Sequence, residues 1–157
     1  MQLSIRTPAD FSFPRTVLSH GWCALLPFQL DRDRWILTRV LDVRRAKPVT
    51  VKISSGKRLL KIIVSRKVNE SVPAKIIADV RHMLRLDDDL KPFYEVMATE
   101  KDFAWITNQG AGRLLRSPTV FEGRQGNGKP ASARIPATDA QVRLASAARR
   151  PHSCRRR

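Results

Sequence analysis

The sequence predicts an α+β domain, an antiparallel β-meander with helices packed on one face, followed by a disordered basic tail. Three observations predict it. Apolar residues alternate with period two between Arg34 and Ser65, they recur at helical spacing after Asn69, and beyond Glu122 both periods vanish. A chain of 157 residues with 42% hydrophobic side chains has room for one domain of ordinary size and a modest core.

The elements follow in order. Leu3 and Ile5 alternate in an opening strand, and Thr16 to Gly21 fits one helical turn with Gly21 as its C-terminal stop. Trp35, Leu37, Leu41 and Val43 fall on one face of a strand region, and Val49, Val51 and Ile53 alternate with Thr50, Lys52 and Ser54. Gly56 supplies a tight connection to a strand carrying Leu60, Ile62 and Val64, so residues 49 to 65 form a β-hairpin. Short connections leave no room for crossover helices, which makes a meander of three or four strands the economical arrangement. Val72, Ile76, Val80 and Met83, backed by Ile77 and Leu84, form the stripe of a helix that lies across the sheet, with Ser71 as its N-cap and Pro73 in its first turn. Asp87-Asp88-Asp89 then leads into a second helix at Leu90, with Pro92 in its first turn and Phe93, Val96 and Met97 as packing residues.

Charge divides the chain again. The net +16 favours a polyanion such as nucleic acid or an anionic membrane surface, and charge alone does not choose between them. Residues 1 to 122 carry 21 basic and 13 acidic side chains, whereas residues 123 to 157 carry 9 basic side chains and only Asp139, so each part has a net +8. Cys23 and Cys154 have neither zinc-site spacing nor the density of a disulfide framework, and a reducing, cytoplasmic interior is the default. The apolar run Trp22 to Phe28 is too short to span a bilayer, and no basic segment with an apolar h-region follows Met1, so neither a signal peptide nor a membrane anchor is expected.

Phe93-Tyr94 after Leu86-Asp87-Asp88-Asp89-Leu90, Trp105-Ile106, and the run from Gly110 through Arg113-Leu114-Leu115-Arg116-Ser117-Pro118 to Glu122 resemble one junction. It is the junction between the N-terminal domain and the helical core of the helix-hairpin-helix DNA glycosylases, of the 3-methyladenine DNA glycosylase II and 8-oxoguanine DNA glycosylase type. Pro14-Arg15-Thr16, Gly21-Trp22 and Pro27-Phe28 look similar to that family as well. The likeness covers roughly residues 1 to 122. It implies an N-terminal α+β domain over residues 1 to 86, the start of a helical core over 87 to 122, and a tail over 123 to 157. In such enzymes the core flips a damaged base into a pocket, and an acidic side chain, in some members with a lysine, drives glycosidic cleavage.

The chain departs from the family at Gly123, where Gly123-Arg124-Gln125-Gly126-Asn127-Gly128 replaces the expected helix. No catalytic, cofactor-binding or metal-ligating residue carries over. The expected function is that of a DNA-glycosylase-related protein of base excision repair, present as a catalytically inactive N-terminal fragment. A small basic protein that binds nucleic acid without sequence preference is the alternative. The abrupt Arg/Ala/Pro/Gly/Ser composition is what an out-of-frame reading of GC-rich coding DNA gives, and translating the source DNA in its other frames downstream of codon 122 is expected to recover a helical core.

The remaining motifs have bland readings. Gly123 to Lys129 fits a phosphate-binding loop, but Pro130 has neither the hydroxyl for Mg²⁺ nor an N–H, and no amphipathic helix follows. Adjacent carboxylates project in different directions, so Asp87-Asp88-Asp89 is better suited to capping than to a metal. His20, His82 and His152 are too far apart for a ligand set, and Phe11, Phe13, Trp22, Phe28 and Trp35 are expected in the core rather than as base-stacking platforms. Weak, electrostatic contacts to DNA fall to Arg113 and Arg116, which are expected to point outward around packed leucines, and to Arg149, Arg150, Arg155, Arg156 and Arg157 of the tail. Phe93, Trp105, Ile106 and Leu115 are expected to form an exposed apolar patch.

Overall fold

The computed structural model describes residues 1–43 and 47–119. They belong to one compact unit that begins at Met1 and runs to Arg124. Its architecture is α+β, with β1 (Gln2–Arg6), α1 (Phe13–Leu18), β2 (Phe28–Asp31), β3 (Ile36–Leu41), β4 (Val49–Gly56), β5 (Leu59–Val64), α2 (Ser71–Met83), α3 (Lys91–Ala98) and α4 (Ala104–Asn108). Single 3-10 turns occupy Trp22–Ala24 and Lys101–Phe103. Arg149, Arg150, Arg155, Arg156 and Arg157, the phosphate-loop-like stretch and the tail expected from residue 123 lie outside the described residues.

Among the described residues the sheet has five strands in the order β1-β5-β4-β3-β2, every pair antiparallel. The meander of three or four strands is therefore extended by the opening strand, which returns to pair with β5. Register is fixed by the period-two pattern, because a slip of one residue would expose every buried side chain. Ile5 faces Leu60, Ile62 faces Ile53, and Ile53 faces Leu37, which lines one face of the sheet with apolar groups. Those five residues are at most 3% exposed.

Two strand features depart from the sequence reading. β2 carries only Phe28 and Leu30 as inward apolar residues, a pattern too short to stand out from the preceding turn. Trp35 is half-buried in the β2–β3 turn with φ of 51°, not in strand register. That turn is closed by Asp31, whose Oδ1 accepts the backbone N–H groups of Asp33 at 3.1 Å and Arg34 at 3.0 Å. The inward position between Leu37 and Leu41 belongs to Arg39, whose guanidinium carbon lies 4.1 Å from the centroid of the Phe28 ring.

α2 closes the core as its stripe predicts: Ile76, Val80 and Met83 are fully buried and Val72 nearly so. Ser71 is the first helical residue, and Glu70 occupies the N-cap position without a side-chain cap bond. The helix ends in a Schellman turn, since the Leu86 N–H donates to the Arg81 carbonyl at 3.0 Å and the Arg85 N–H to the His82 carbonyl at 3.2 Å. Glycine usually fills the left-handed position of this turn, and here Arg85 does, with φ of 54°. The β4–β5 hairpin shows the same substitution. Gly56 is the last residue of β4, paired with Leu59, and Arg58 takes the left-handed conformation at φ of 56°.

Two stability predictions follow from these positions. Replacing Ile76 by alanine should cost about 2–5 kcal/mol in urea unfolding, the range for emptying a filled core site. Replacing Arg58 by glycine should instead gain up to about 1 kcal/mol, because it removes a left-handed L-residue at an exposed turn.

Candidate functional site

The segment that carries the glycosylase resemblance, Gly110 to Ser117, is threaded between the first and last parts of the domain. Two glycines let it pass. At Gly110, φ is 60° and an added Cβ would lie 2.3 Å from the Asp10 carbonyl oxygen. At Gly112, φ is 113° and an added Cβ would lie 2.8 Å from the Phe93 ring. Beyond them the chain alternates: Arg113 and Leu115 are buried, whereas Leu114 and Arg116 are exposed. The N–H of Leu115 donates to Ser19 Oγ at 3.1 Å, and the N–H of Arg116 donates to the Met83 carbonyl at 2.9 Å.

Arg113 is the centre of this arrangement and overturns the expectation that it points outward. Its residue exposure is 2%. Nη1 donates to Asp10 Oδ2 at 2.8 Å, Nε to the Arg85 carbonyl at 3.1 Å, and Nη2 to the Asp88 carbonyl at 3.1 Å. A planar guanidinium supplies donors in several fixed directions, so one side chain joins the β1–α1 loop to the turn after α2. In this conformation it has no surface to offer a phosphate. Arg116 is exposed and Leu115 is fully buried, so the expected patch of Phe93, Trp105, Ile106 and Leu115 loses its last member to the core.

Two clefts border the Gly110–Arg113 strap, and Arg113 lines both. One, of about 510 Å³, is walled by Arg15, Leu18, Trp105 and Leu114. Trp105 is 47% exposed there, with the Arg15 guanidinium 5.6 Å from its ring centroid. The other, of about 540 Å³, is lined by Asp10, Asp88, Lys91, Tyr94, Glu95 and Thr107, with Arg113 at its base. The Tyr94 hydroxyl donates to the Ala111 carbonyl at 2.8 Å. Burial, reinforced by the Asp10 carboxylate and opposed by Arg113, pushes the phenol above its usual value of 10.0.

The acidic triplet divides its work. Only Asp89 serves the start of α3, accepting the Lys91 N–H at 2.9 Å. Asp88 pairs with Arg85, and Asp87 accepts from Arg81 Nε at 2.9 Å, a bond that holds the Asp87 carboxyl below the usual carboxylate range. With Asp87 61% exposed, this pair adds little stability. His20 stacks near Trp22 at 5.0 Å between ring centroids, His82 is exposed, and Cys23 is buried as a free thiol. Among the described residues no group of three His, Cys, Asp or Glu side chains is placed to hold a metal ion, and no helix is long and apolar enough to cross a membrane.

The strap gives two predictions. Arg113→Lys should destabilise the domain by about 2 kcal/mol or more in urea unfolding, since one ammonium does not reproduce the three-way fork and leaves buried carbonyls unpaired. Tyr94→Phe should cost about 1 kcal/mol at neutral pH. Because the folded phenol is raised, its contribution is present below the ordinary tyrosine value and is lost as pH rises through the folded value, so thermal melts above about pH 10 should fall less steeply for Tyr94→Phe than for the parent.

No protein-family model matches the chain, and no curated protein matches it either. Solved structures do share its fold. A 3-methyladenine DNA-glycosylase from Archaeoglobus fulgidus superposes with a TM-score of 0.56 at 14% identity, covering 77% of this chain and 41% of its own. A structure of MBOgg1 in complex with a low affinity DNA ligand overlaps 74% of this chain and 35% of its own, with a TM-score of 0.49 at 20% identity. This chain thus spans about two fifths, or less, of the length of those proteins.

Proposed function

We propose that this chain is a DNA-glycosylase-related protein of base excision repair whose described domain is an accessory, non-catalytic body. The observation that carries the reading is the shared fold with the Archaeoglobus fulgidus glycosylase, which covers most of this chain and 41% of that one. The run from Gly110 to Ser117 supports it from a second direction. The residues of that run are held in place by two positive-φ glycines and a buried arginine. The domain's role in this reading is mechanical: it fixes the direction in which the chain leaves Arg116 and presents the cleft around Trp105 and Leu114 beside that exit.

DNA is the partner in this reading, held weakly and electrostatically, with Arg116 as the exposed contact among the described residues and the tail arginines beyond it. The protein acts in the cytoplasm, at the nucleoid if the source is bacterial. Chemistry is assigned to no residue of the chain. The purified chain is accordingly expected to release neither 3-methyladenine nor 8-oxoguanine from duplex DNA above the rate without protein, followed by chromatography of the freed base. Release that depends on the chain would overturn the non-catalytic assignment.

A further inference from the structure

The covered face of the sheet is apolar, and the opposite face is open to solvent. Alternation places Gln2, Ser4 and Arg6 of β1, Leu59, Lys61 and Ile63 of β5, Thr50, Lys52 and Ser54 of β4, and Ile36, Thr38 and Val40 of β3 on that outer face, the β3 residues half-buried. Register then fixes how the charges sit. Arg6 lies opposite Leu59, two residues before Lys61, and Lys61 lies opposite Ser54, two residues from Lys52. Arg6, Lys61 and Lys52 therefore follow one diagonal across three strands, each step about 7–8 Å and the whole ridge about 15 Å. All three are exposed, and among the described residues none has a carboxylate partner. Among the described strand positions of this face the one carboxylate is Asp31, which is on the far edge strand and is engaged in closing its own turn.

We propose that this outer face is a second binding surface, which docks the phosphate backbone of duplex nucleic acid along the Arg6–Lys61–Lys52 ridge. The chemistry of the face selects that partner. An uncompensated row of cations seeks a row of anions, and duplex DNA presents one negative charge about every 1.7 Å along its axis. Ser4 and Ser54 flank Lys61 and Thr38 flanks Lys52, hydroxyls of the kind that donate to phosphate oxygens and carry no sequence information. The strand positions of this face carry no aromatic side chain. It therefore lacks the stacking platform that favours single strands and the aromatic anchor that favours a membrane interface. The proposal requires no glycosylase descent, and its failure would leave the absence of base release untouched.

The test is binding of the full chain to an undamaged duplex of about two helical turns, followed by fluorescence anisotropy across a salt series. Lys52→Gln/Lys61→Gln should make the slope of log K against log salt shallower by about 2, uniformly across duplex sequences, and Arg6→Gln added to it should remove about one more. Lys91→Gln/Lys101→Gln removes the same charge from the helical side and should leave the slope near that of the parent. Unchanged melting temperatures are expected for both pairs, since all four lysines are exposed. An equal effect of the two pairs, or none from the sheet pair, would overturn the proposal. So would binding to phosphatidylserine vesicles that depends on Lys52 and Lys61 while duplex binding does not.

Discussion

A buried guanidinium holds together parts of the chain that are about as far apart as the domain allows. Arg113 meets Asp10 across 103 residues, and Arg85 and Asp88 across 28 and 25. Removing an arginine from water is expensive, and the expense is offset only where the charge is paired and its N–H groups are bonded. Here one carboxylate and two carbonyls meet those conditions. The consequence is specificity of position. Leucine would bury as readily at residue 113, but it would not select the one arrangement in which the β1–α1 loop, the turn after α2 and the Gly110–Gly112 strap converge.

Several unusual backbone choices become intelligible from that constraint. Arg85 in a left-handed conformation costs on the order of 1 kcal/mol relative to glycine. It turns its own carbonyl toward Arg113 Nε and pairs its side chain with Asp88, whose carbonyl Arg113 also holds. Gly110 admits the Asp10 carbonyl at a distance no Cβ tolerates, and Gly112 lets the strap lie against Phe93. The tyrosine at 94 then fastens the middle of the strap through the Ala111 carbonyl. Ion pair, hydrogen bonds and glycine conformations are thus one structure, and a change in any of them is felt through the others.

The sheet was legible because its signal is local. Val49-Val51-Ile53 and Leu60-Ile62-Val64 need only a period of two, and α2 needs only Val72, Ile76, Val80 and Met83 at helical spacing. What was illegible depended on partners distant in sequence. β2 has two inward residues and becomes a strand because β3 is beside it. Arg39 breaks the alternation of β3, and its burial makes sense only with Phe28 against it. At Arg113 the charge argued for solvent, whereas alternation past Gly112, with Leu115 two residues on, argued for the interior. The second signal was present in the sequence and is the one the structure follows.

The same alternation that fills the core determines what the other face of the sheet must be. A five-stranded antiparallel sheet covered on one side leaves the odd residues of β5 and the even residues of β4 in water, and those residues include lysines flanked by serine and threonine. The strap side of the domain differs in kind. It exposes Leu18, Trp105 and Leu114 around a cleft that Arg15 also lines. An apolar cleft suits the packing of protein, whereas an open ridge of unpaired cations suits a solvated polyanion.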